Sequence, residues 1–150
     1  MRRSLILSAL VVAAALTGCT MSPTASYVSE VSATDANVLA GSIAEFLGQH
    51  LPPAGTVLAL QPPQDGQANN PMTPALSRAL RSSGFGVAEL TKDTPAPAGS
   101  HPVRYLVTPM YNGVLIRVRY DRTNVSRWFA RNTSGNLQPA SPYSVQRGGQ

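Results

Sequence analysis

Apolar residues recur along this chain in distinct rhythms, and each rhythm predicts a different element. Leu39, Ile43, Phe46 and Leu47 stand at i, i+4, i+7 and i+8, the spacing of one helix face. Thr34 or Asp35 is placed to cap its start, and Gly48, Pro52 and Pro53 mark its end, so a helix is predicted over 36–49. Thr56 to Leu60 is almost continuously apolar between Gly55 and Pro62, the pattern of a short strand buried on both faces. Thr73 and Pro74 then offer a cap and a first helical residue. Ala75, Leu76, Ala79 and Leu80 form the stripe of this second helix, and Gly84 stops it. Phe85 to Leu90 predicts the next strand. Strand, helix and strand in this order predict a β-α-β unit with parallel strands.

Past a loop rich in Pro, Ala and Gly over 92–102, the rhythm changes to period two. Val103 to Met110 reads as a strand, and Asn112-Gly113 as a two-residue hairpin turn needing positive φ. Val114 to Asp121 then alternates without a break. Val114, Ile116, Val118 and Tyr120 share one face, and Leu115, Arg117, Arg119 and Asp121 the other. A second tight turn at Arg122-Thr123 leads into a strand over Val125–Arg131, which carries Trp128 and Phe129. The expected fold is α+β: two helices packed on one face of a four- to five-stranded mixed sheet, a β-α-β unit followed by an antiparallel meander. The arginine-bearing face is left open. Pro139 and Pro142 make 132–150 a Pro/Ser/Gly-rich C-terminal tail, with one edge segment near Leu137.

Residues 1–19 follow neither rhythm. Arg2 and Arg3 precede an uncharged apolar run from Leu5 to Leu16, interrupted only by Ser8, and small residues then precede Cys19. This is the layout of a secretory signal peptide, too short to span a bilayer. The ending Leu16-Thr17-Gly18-Cys19 resembles the bacterial lipobox, whose cysteine receives a diacylglycerol once the chain is cut before it. That resemblance implies a lipoprotein signal peptide over 1–18, lipid attachment at Cys19, a flexible tether over 19–33 and a periplasmic domain over 34–131. By resemblance to enterobacterial lipoprotein sorting, in which an Asp after the cysteine favours the inner membrane, Thr20 implies anchoring in the outer membrane.

Charge changes the picture in one respect. Residues 19–102 hold Arg78, Arg81 and Lys92 against Glu30, Asp35, Glu45, Asp65, Glu89 and Asp93; residues 103–150 hold seven arginines against Asp121 alone. Arg117 and Arg119 project from one face of a strand. Arg127 and Arg131 extend the stripe if the turn register cooperates, and with Trp128 they form the candidate partner-binding surface. A solvated sheet face accounts for the same pattern. Tyr111, Tyr120 and Tyr143 are further candidate anchors, and Asp121 reads as a counter-ion for Arg117, Arg119 and Arg122.

Catalytic patterns are missing from the sequence. His50 and His101 lie in loop-like sequence near prolines, and no Gly-x-Ser-x-Gly elbow frames a serine. The carboxylates lack metal-ligand or acid–base spacing, and no glycine-rich phosphate loop is present. Cys19 is the sole cysteine, which excludes an intramolecular disulfide. The expectation is a non-enzyme with no cofactor, no metal, no small-molecule substrate and no direct nucleic-acid contact, acting through other proteins and, through its lipid, on a membrane.

The lipobox, the helix over 38–47, the strand over 56–60, the stretch Leu-Ser-Arg-Ala-Leu-Arg-Ser-Ser-Gly-Phe at 76–85 and the basic Tyr/Trp-bearing meander together resemble the TrbH family of conjugal transfer lipoproteins. The resemblance implies a component of a plasmid-encoded type IV secretion apparatus, supporting mating-pair formation, pilus assembly and DNA transfer alongside other channel proteins. The same plan suits an envelope lipoprotein that regulates peptidoglycan synthesis or another outer-membrane assembly.

Overall fold

The computed structural model describes residues 26–63, 69–91 and 93–148. The expected signal peptide, Cys19 and the first part of the expected tether lie outside the described residues. A short strand β1 (Tyr27–Val28) leads to helix α1 (Ala33–His50), strand β2 (Val57–Leu60), helix α2 (Met72–Ser82) and strand β3 (Gly86–Glu89). Strands β4 (His101–Pro109), β5 (Gly113–Tyr120) and β6 (Thr123–Arg131) follow, then β7 (Leu137–Pro139) and β8 (Ser144–Arg147). The class is α+β, as expected, although among the described residues the sheet has eight strands and not four or five.

Local chemistry explains the helix limits. Ser32, extended at φ −71° and ψ 159°, caps α1 by accepting the Asp35 N–H at 3.1 Å. The helix therefore starts ahead of Thr34, and Asp35 is released for another task. At the far end the His50 ring stacks on Phe46 with centroids 4.1 Å apart and hydrogen-bonds the Phe46 carbonyl through Nδ1 at 2.8 Å. α2 is capped by Asn70, whose Oδ1 accepts from the N–H groups of Met72 and Thr73, both at 3.0 Å. Thr73, expected as the cap, instead hydrogen-bonds the buried Tyr105 hydroxyl at 2.6 Å. Burial pushes that phenol up to about 12, so it stays neutral.

The sheet runs β3-β2-β4-β5-β6-β7, with β1 added to β4 and β8 to β6. β2 pairs parallel with β3 and with the start of β4, and β1 pairs parallel with β4 further along. On the other side β8 and β7 share the outer edge of β6. The long β4–β5–β6 meander is thus flanked on each side by short strands in tandem. Both helices cover one face, where Leu39, Ile43, Leu47, Leu76 and Leu80 meet Val103, Tyr105, Ile116 and Phe129. Burying each such side chain contributes about 1.5–3 kcal/mol.

Several boundaries differ from expectation, each for a physical reason. The tether does not reach residue 33. Ser26 accepts the Tyr105 N–H at 3.0 Å and donates to the Gln61 carbonyl, which docks the chain from residue 26 onward. The tail carries the edge segment expected near Leu137, but residues 144–147 also pair with β6. The first hairpin turn sits one residue early: Met110 N–H bonds the Gly113 carbonyl at 3.0 Å, and Tyr111 adopts positive φ, 52°. Gly113 is required for room instead, because a Cβ there would lie 2.0 Å from the Phe129 carbonyl oxygen. In the second hairpin Tyr120 pairs with Thr123, so Asp121 and Arg122 form the turn, with Asp121 at φ 49°.

Candidate docking face

That second turn decides on which face the arginines of β6 fall relative to those of β5. Its register sets Arg117 against Ser126, Ile116 against Arg127 and Leu115 against Trp128. Side chains alternate between faces along each strand, so Arg117, Arg119 and Trp128 share the face away from the helices. Arg127 and Arg131 fall on the helix side. The single stripe of four arginines expected from the sequence does not exist.

On the helix side both arginines are bound into the fold. Arg131 forms a two-pronged pair with Asp35 of α1, at 3.2 and 2.7 Å, and donates to the Gly135 carbonyl at 2.8 Å. The Arg131 hydrogen bonds, helped by the Ser32 hydroxyl, hold the Asp35 carboxyl below its usual range against the opposing pull of burial. Arg127 donates to the Ser141 carbonyl at 2.8 Å and to Ser42 Oγ at 3.1 Å. Its guanidinium stands 4.9 Å from the Tyr143 ring centroid and 5.6 Å from that of Phe129. These contacts knit α1, β6 and the β7–β8 connection together.

Among the described residues no helix covers the opposite face. Arg104 of β4 lies directly across from Arg119, and Leu106 across from Arg117. Arg104, Arg117 and Arg119 therefore cluster within two residue steps on neighbouring strands. Arg104 Nε–H donates to the Gln61 side chain. Arg117 and Arg119 are exposed. The cluster borders a shallow depression of about 500 Å³ that Leu106, Ser126 and Gln146 also line. Among the described residues no strand position on this face carries an acid. Like charges directly opposite across a ladder repel, so this face favours any anion that settles between them. Beside the arginines lie Leu115, Trp128 and half-exposed Tyr27, which pairs with Leu106.

The remaining candidates scatter. Tyr120 is buried against Phe46, and Tyr143 hydrogen-bonds Ser42 at 2.9 Å. Tyr111 is 97% exposed at the tip of the β4–β5 hairpin. Asp121 does not neutralise the neighbouring arginines; it hydrogen-bonds His101 at 2.7 Å. Tyr27 was legible as part of a short strand or docking patch with Val28 and Val31, whereas Arg104 and Leu106 were not singled out from the sequence. The signal for Arg104 and Leu106 was nonetheless present, since they alternate with the apolar Val103, Tyr105 and Val107.

The family model described as conjugal transfer protein TrbH matches residues 17–149. No match emerges among curated proteins.

Proposed function

This chain belongs to the TrbH family of conjugal transfer proteins, and on that premise we propose that it is a lipid-anchored, non-enzymatic component of a conjugative type IV secretion apparatus. Acylated on Cys19, it sits on the periplasmic side of the outer membrane and supports mating-pair formation and pilus assembly by holding other channel proteins in place. The observation that carries this reading is the uncovered sheet face, where three guanidiniums meet no acid while their counterparts on the helix side are fully engaged. Such a face is a surface for contact with an anionic partner, protein or lipid. A second place for contact is the outer edge of β8, whose four residues are all exposed and which no further strand pairs among the described residues. A partner strand can add there through backbone hydrogen bonds.

Plasmid transfer from donor cells tests the reading. Cys19→Ala is expected to lose membrane attachment and to lower transfer by orders of magnitude. A photo-crosslinker at Val145 is expected to capture other transfer proteins. Full transfer by the Cys19→Ala variant, or crosslinks only to cell-wall synthases, overturns it.

A further inference from the structure

We infer that the open face of the sheet lies on the anionic phospholipid surface to which the chain is anchored, with Arg104, Arg117 and Arg119 on lipid phosphates. The inference rests on the acylation of Cys19 proposed above.

Reach is the first argument. Six residues separate Cys19 from Ser26, and even fully extended such a span covers at most ~25 Å. Ser26 is fixed to the backbone of Tyr105, the neighbour of Arg104, so the chain enters the domain beside the arginine cluster. The acylated sulfur therefore stays within about 25 Å of the strand that carries Arg104, which leaves this face within reach of the lipid surface.

Chemistry is the second. Guanidiniums bind phosphate through paired N–H donors, and the approach of Arg104 to Arg119 is relieved by an anion between them. Attraction of this kind acts only within about 8 Å in physiological salt. A domain on a short leash satisfies that limit; a freely diffusing one rarely does. Tyr27 and Trp128 beside Leu106 and Leu115 add the aromatic and aliphatic surface that settles at headgroup level. An acidic protein would answer the charge as well, but the short leash keeps lipid phosphates within reach at all times.

Trp128 is the only tryptophan and lies on this face, so it reports contact directly. The acylated protein is reconstituted into vesicles of phosphatidylcholine with phosphatidylglycerol, a fraction of the lipids carrying a headgroup nitroxide. Strong quenching of Trp128 is expected. It should fall about threefold or more in the Arg117→Glu/Arg119→Glu variant, in vesicles of phosphatidylcholine alone, and in half-molar salt, while the protein still floats with the vesicles. Circular dichroism checks that the variant is folded, and the salt arm needs no variant. If the protein carries the acyl mass and floats, yet Trp128 is unquenched or its quenching ignores charge, the face belongs to a protein partner and this inference fails alone. If the acyl mass is absent, the anchor fails and takes the inference with it.

Discussion

The two faces of the β4–β5–β6 meander carry the same residue type to opposite ends. Arg127 and Arg131 lie under α1, where each is saturated by fixed oxygens and rings. Arg117 and Arg119 lie on the far side, with a third arginine, and no carboxylate, across the ladder. Only strand parity separates the pairs. Arginine on a sheet is thus neither structural nor functional by nature; the turn that sets the register assigns it.

Removing the contrast from the helix side should have the largest effect. Arg131→Met leaves the Asp35 carboxylate, only 7% exposed, without its cation, and is expected to cost about 2–4 kcal/mol in urea unfolding. A cost below about 1 kcal/mol would show that Asp35 finds water and that Arg131 resembles the open-face arginines. Arg127→Leu should cost less, about 1–2 kcal/mol, through two lost hydrogen bonds and the ring contacts.

Acid sharpens the same comparison. Because the Asp35 carboxyl titrates lower in the folded chain than in the unfolded one, its contribution is complete above the ordinary carboxylate value. It is lost as pH falls through the lower folded value. The fall in melting temperature below about pH 4 should therefore be shallower in Asp35→Asn than in the parent. Equal slopes would mean that the pair does not favour the ionised form. The smallest change is expected on the open face. Arg119→Gln should shift stability by no more than about 0.5 kcal/mol, upward if repulsion from Arg104 matters. A larger loss in calorimetry would place Arg119 within the folding energetics and erase the distinction.

Much of this frame was legible in the chain. Periodicity marked both helices, the parallel unit and the alternation of β5, because those patterns follow from burial alone. The phase of β6 relative to β5 was not legible. It depends on Tyr120 pairing with Thr123 across Asp121 and Arg122, a tertiary choice that no local propensity encodes. Gly113 misled for a related reason: glycine beside Asn112 advertises a positive-φ turn, yet here it makes space for the Phe129 carbonyl. β1 and β8 were faint because two- and four-residue strands borrow their order from the neighbour they join. Arg104 needed only its own strand to be phased, whereas its closeness to Arg119 required the pairing.

The docking of β1 has a mechanical consequence. Residues 27 and 28 run parallel to β4 beside Leu106 and Val107, with Ser26 clasped at the leading end. Tension applied along this strand would load its hydrogen bonds together in shear instead of opening them one after another like a zipper. A chain moored that way resists being peeled from its sheet by a pull on its leading end.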